Sequence, residues 1–129
     1  MPPEMERTNV DPRHRSGRSA EQLAERHLLD RGLKLVARNF RCRRGELDLV
    51  CRDAGVLVIV EVRQRLRDGY GGPLAAIGRV KQARLRRAAA YFLLQNRCWN
   101  HLPVRFDVIT VLGAPEAEHE LRWLPNAFQ

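Results

Sequence analysis

Residues 45–65 read GELDLVCRDAGVLVIVEVRQR, and the way this stretch folds decides the architecture. Over 46–51, ELDLVC alternates charged and apolar residues, the period-2 pattern of a half-buried strand. Over 56–63, VLVIVEVR contains a continuous apolar run, Val56 to Val60. That run is short and rich in β-branched residues, which predicts a strand buried on both faces. Arg52, Asp53, Ala54 and Gly55 supply turn chemistry between the two, so a hairpin is the economical connection. A turn centred on Ala54 and Gly55 sets Asp48 opposite Glu61 and Glu46 opposite Arg63.

Downstream, the stretch from Arg67 to Gly78 carries Gly69, Gly71, Gly72 and Pro73 as well and reads as a mobile loop. It lacks the Lys-Ser/Thr ending of a phosphate-binding loop. A helix is expected over 79–95, burying Leu85, Ala88 and Phe92 with Ala89 and Leu93 beside them. Lys81 continues that row one turn earlier, so its head emerges at the edge of the buried face. VRFDVITVL at 104–112 predicts another strand, followed by an acidic, Pro-containing loop and a short ending, LRWLPNAFQ.

Upstream, Ser19 and Gln22 form a capping box that opens a helix ending before Gly32. Its apolar stripe is Ala20, Leu23, Ala24, His27 and Leu28, with Glu21 at the edge of the stripe and Glu25 turned toward water. LKLVARNF at 33–40 reads as a first strand. Residues 1–18 read as a disordered basic arm, which leaves 19–129 as one domain. The order of elements predicts an α/β sandwich built on a small mixed sheet.

The 129 residues hold 23 basic side chains, 21 of them Arg, against 15 acidic ones, for a net charge of +8. Such a balance favours an anionic partner, nucleic acid or an acidic membrane surface, and solubility alone is served equally well. The excess is polarised: residues 13–44 hold ten basic and three acidic side chains, residues 106–129 one Arg and four acids. No apolar run reaches the roughly 20 residues of a membrane-spanning helix, and the first twenty residues lack the apolar centre of a secretory signal. Cys42, Cys51 and Cys98 form no close pair, which argues for a reducing, cytoplasmic setting. The dispersed His14, His27, His101 and His119 do not build a zinc site.

Asp48 directly opposite Glu61 is costly unless something positive intervenes. Magnesium is the natural candidate, since it takes a few carboxylate oxygens together with water and phosphate. Glu21 can add a direct or water-mediated ligand if its helix packs over that end of the hairpin, and Arg63 can stabilise developing phosphate charge. The same Glu46, Asp48, Glu61 and Arg63 can equally form ordinary cross-strand ion pairs. Arg41, Arg43, Arg44, Arg84 and Arg87 are the expected phosphate contacts, with Lys81 beside them in the nucleic-acid-binding set. Trp99 and Trp123 are expected to pack rather than stack on bases, and Asp107 to pair with a nearby Arg.

Five blocks in order, GELDLVCRD, VLVIVEVRQR, GRVKQARLRRAAAYFL, RFDVITV and the terminal PNAF, resemble the YraN-like family of uncharacterised bacterial proteins. By that resemblance the chain is similar to the PD-(D/E)xK restriction-endonuclease-like superfamily, near the archaeal Holliday-junction resolvases, over about residues 17–129. The resemblance implies a three-layer restriction-endonuclease-like sandwich and a magnesium- or manganese-dependent endonuclease acting on DNA, with branched or structured DNA as substrate and a homodimer as its form. It also implies the site: Asp48 and Glu61 as metal ligands, the Val62 carbonyl completing the set, and Glu21 as the first-helix glutamate. Arg63 stands where the superfamily has Lys. A guanidinium stays protonated and cannot remove a proton, so that task would fall to the metal, a substrate phosphate or Lys81. The alternative is a nucleic-acid-binding module that retains the nuclease fold without catalysis, which Arg63 favours.

Overall fold

The computed structural model describes residues 12–65, 77–114 and 118–129, of which 12–18 as backbone only. Chain order is α1 (Pro12–Asp30), β1 (Lys34–Cys42), β2 (Gly45–Asp53), β3 (Val56–Arg65), α2 (Arg79–Gln95), a short 3-10 turn (Arg97–Trp99), β4 (Val104–Gly113) and β5 (His119–Phe128). The five strands form one sheet in sequence order. Neighbours are antiparallel except β3 and β4, which run parallel. A parallel pair needs a crossover, and the connection containing α2 provides it.

β3 is the middle strand, and Leu57 through Glu61 are all buried. Leu57 and Ile59 turn to the layer holding Leu85, Ala88, Ala89 and Phe92 of α2. Val58 and Val60 turn to the layer holding Ala20, Ala24 and Leu28 of α1. Burial on both faces is why the strand reads as an uninterrupted apolar run. One helix covers each face, which makes the mixed sheet the middle of a three-layer α/β sandwich, as expected. Among the described residues no helix is long and apolar enough to cross a membrane.

The hairpin register is the one expected from its turn, running from Asp53 opposite Val56 to Leu49 opposite Val60. Ala54 adopts a left-handed φ of +52° to close it. The β1–β2 hairpin contains a kink that alternation does not foretell. Arg38 faces Leu49 and Phe40 faces Leu47 in one continuous register, yet Arg38 reaches Glu25 of α1 while Phe40 sets its ring against Phe92 of α2. Leu49 and Leu47 divide between the two cores in the same way. Both strands therefore change faces between these pairs, at Asn39, whose φ is +51°, and at Asp48.

Two boundaries differ from expectation. α1 begins at Pro12, upstream of the capping box at Ser19, so the stretch assigned to the basic arm is helical backbone from residue 12 on; residues 1–11 lie outside the described residues. The glycine-rich loop does too, apart from Ile77 and Gly78. The ending LRWLPNAFQ belongs to a full strand, β5, paired along β4. Its Pro125 masks the pattern but is tolerated on an edge strand. Across from it the register shifts between Phe106 and Val108, and Asn126 takes φ +52°. The Asp107 carboxylate fills this irregularity. It accepts Nε and Nη2 of Arg105 at 2.9 and 3.0 Å, the Trp123 indole N–H at 2.9 Å and the Asn126 backbone N–H at 2.9 Å. Asp107 is fully buried and pairs with Arg, as expected.

Candidate active site

The site forms where β2 separates from β3. Their backbone register ends at Leu49 opposite Val60. One step further, the Val62 N–H donates to Oδ2 of Asp48 at 2.8 Å. The kink turns Asp48 toward β3, so a side chain continues what the main chain has stopped doing. The Glu61 carboxyl lies beside Asp48, close enough for its charge to act on it. Two carboxyl groups this close disfavour both being ionised at once.

Burial is the largest cause pushing the Asp48 carboxyl up to about 8. The Glu61 charge adds to it, the Val62 N–H opposes it, and the Glu21 charge from α1 contributes further. Both members of the pair are buried.

Glu61 is also held by a cation. The Lys81 Nζ lies 3.1 Å from its Oε2. Lys81 sits in the first turn of α2, where the row through Leu85, Ala88 and Phe92 places it at the rim of the buried face. The chain contains only two lysines, Lys34 and Lys81. Arg63 is half-buried two residues beyond Glu61. Burial lowers its pKa, Arg65 lowers it further and Glu61 opposes both.

The structure thus brings together Asp48, Glu61, Val62 and Lys81, with Glu21 close enough to act through its charge. It does not give Glu46 the expected place opposite Arg63. Glu46 faces Arg41 across β1 and β2 and pairs with it at 3.3 Å on the surface, because the kink at Asp48 separates it from β3. Among the described residues, no group of three or more His, Cys, Asp and Glu side chains is placed to hold a metal ion. Asp48 and Glu61 supply two carboxylates, one short of such a group.

A fixed support lies behind Glu21. One turn along α1, Glu25 receives Nε and Nη2 of Arg38 at 2.6 and 2.8 Å, which ties the helix to β1. Sequence reasoning turned Glu25 toward water and missed this bond, since only the kink at Asn39 brings Arg38 to the α1 side. Trp99 and Trp123 are both partly buried in the cores, as expected. Trp99 lies under the Arg52 guanidinium at 5.7 Å.

The model of a family described as uncharacterised protein family UPF0102 matches residues 20–111, from the buried stripe of α1 through the apolar run of β4. The chain belongs to this family. A UPF0102 protein of Pseudomonas putida is 48% identical over 114 residues, covering 88% of this chain and 93% of its own. One from Stutzerimonas stutzeri is 47% identical over 114 residues, covering 88% and 94%. One from Halorhodospira halophila is 46% identical over 122 residues, covering 95% and 93%. Membership in UPF0102 bears out the resemblance read from the five sequence blocks. The span matched by the UPF0102 model includes Glu21, Asp48, Glu61, Val62, Arg63 and Lys81. It ends before Trp123 and Asn126, which hold Asp107 from β5.

Proposed function

We propose that this UPF0102 protein is a metal-dependent endonuclease that hydrolyses the DNA backbone. The observation that carries the reading is the buried Asp48–Glu61 pair, with Asp48 fixed by the Val62 N–H at 2.8 Å and Glu61 held by Lys81 at 3.1 Å. The donor set fits magnesium or manganese. Such an ion accepts one or two carboxylates and fills its remaining positions with water and phosphate oxygens, and its charge would offset the like charges of the pair. Asp48 and Glu61 would hold it, with the Val62 carbonyl as the family pattern implies. When bound it supplies a water of lowered pKa and positive charge against the phosphate.

The chain's own groups do the rest. The Val62 N–H fixes the orientation of the Asp48 carboxylate. Lys81 holds one oxygen of Glu61, and its partly exposed ammonium can turn to a phosphate oxygen. Arg63 stays protonated and contributes charge only. Lys81 on α2 can supply the lysine charge that the strand position lacks, which supports the catalytic reading over a module without catalysis. Structured or branched DNA is the substrate suggested by the resolvase resemblance.

Purified protein should cut linear, flap or four-way DNA when magnesium or manganese is added. Asp48→Asn and Glu61→Gln should abolish cutting, and Lys81→Gln should slow it by about a hundredfold, the loss typical of removing one group that stabilises developing charge. Equal cutting by wild type, Asp48→Asn and Glu61→Gln would refute the assignment.

A further inference from the structure

The arginines expected to touch phosphate come from two separate parts of the sequence, and the fold joins them. Gly45, at the end of the β1–β2 turn, has φ +152°, and a Cβ built on it would lie 3.6 Å from the backbone oxygen of Arg84 and 3.7 Å from its Cβ. The turn bearing Arg43 and Arg44 therefore rests on α2 at Arg84.

On α2, residues 84, 87, 91 and 94 recur at intervals of three and four, which makes them one stripe. It faces away from buried Leu85, Ala88, Ala89 and Phe92. The stripe reads Arg84, Arg87, Tyr91, Leu94, and every member is exposed, Tyr91 at 42% and Leu94 at 67%. α2 contains no acidic residue. Among the described residues, Arg43, Arg44, Arg84 and Arg87 make no ion pair or side-chain hydrogen bond. Arg38, Arg41, Arg105 and Arg122 each meet a carboxylate. Arg26, Arg79 and Arg97 likewise meet no carboxylate among the described residues, but Arg43, Arg44, Arg84 and Arg87 come together where the β1–β2 turn rests on α2, and from Lys81 to Tyr91 the helix rises about 15 Å.

We infer that this stripe is a track for single-stranded DNA, with Arg43, Arg44, Arg84 and Arg87 on the phosphates and Tyr91 stacked on a base. The inference rests on the DNA reading above and specifies the form of DNA. Four unpaired cations ask for a polyanion. A duplex presents phosphates but hides its base faces, so it gives an exposed Tyr and Leu in line with arginines nothing to bind. An unpaired strand offers both charge and free base faces. Tyr91 is braced for stacking by Phe40, ring centroids 6.3 Å apart.

Binding of a fluorescent 20-nucleotide oligo-dT and of a 20-base-pair duplex, measured in EDTA, tests this without any cleavage. Tyr91→Ala should weaken oligo-dT binding about tenfold, the loss of one stacked base, and leave duplex binding unchanged. Tyr91→Phe should restore wild-type affinity. Arg84→Gln combined with Arg87→Gln should reduce the slope of log affinity against log salt for oligo-dT by about 1.4, whereas Arg97→Gln should not alter the Tyr91 effect. The track is refuted if oligo-dT does not bind, or if Tyr91→Ala leaves its binding intact or weakens strand and duplex alike. The two proposals fail separately. Cutting that persists with no Tyr91 effect overturns the track alone, and a Tyr91 effect without any cutting overturns the nuclease alone.

Discussion

At Asp48 one buried side chain accepts a main-chain N–H and lies beside the charges of Glu61 and Glu21, and its proton balance follows from those surroundings. Its pKa is raised from the ordinary carboxylate value to about 8. The folded protein therefore holds a proton that the unfolded chain has released. Between roughly pH 4 and 8 the native state binds more protons than the unfolded state, so the contribution of this group is full below pH 4 and is lost as pH rises through 8. Asp48→Asn keeps an oxygen for the Val62 N–H and removes the ionisation. In EDTA it should be more stable than wild type at pH 9 by a few kcal/mol and nearly equal at pH 4, as measured by urea unfolding at both pH values. The nearness of Asp48 and Glu61 was legible from strand alternation and the hairpin turn, and Lys81 from the helical row it continues. The Asp48–Val62 bond was not, because it depends on two strands changing faces together, and that requires a left-handed Asn39 which nothing in its neighbours announces.

Among the elements, the central hairpin was readable to the residue because a buried apolar run tolerates one register only. Its turn carries a visible cost, with Ala54 at φ +52° where a Cβ crowds the backbone. Ala54→Gly should stabilise the protein by about 0.5–1 kcal/mol and raise the melting midpoint by a few degrees without altering binding or cutting. α2 was placed within its observed bounds, since its buried residues keep strict helical spacing. β5 was missed for the opposite reason. Its pattern is broken by Pro125 and by the left-handed Asn126, and what holds it in place is Asp107 on β4, whose indole and amide donors lie 16 and 19 residues away in sequence. A strand secured by a distant carboxylate leaves little local signal.

In the whole molecule the sheet separates two apolar cores, and Cys51 reports on the one beneath α1. Its thiol is fully buried, and burial, with Glu25 and Asp107 adding, pushes it up to about 12. Exposed Cys98 should react readily with a thiol reagent in the folded protein. Cys51 should react only as fast as the molecule opens globally, and a time course followed by mass spectrometry separates the two. The +8 charge is likewise organised at this scale, with Arg43, Arg44, Arg84 and Arg87 gathered where the β1–β2 turn rests on α2, a grouping that sequence could anticipate only as two unconnected clusters. The Lys81–Glu61 contact carries a consequence for how relatives of this chain are found. What Glu61 receives is an ammonium at a location, and its address along the chain is free to lie on a strand or on a helix that returns to the same corner. A search that fixes a lysine two residues after the glutamate reads past this chain, whereas one that asks for a cation within reach of the carboxylate in three dimensions retrieves it.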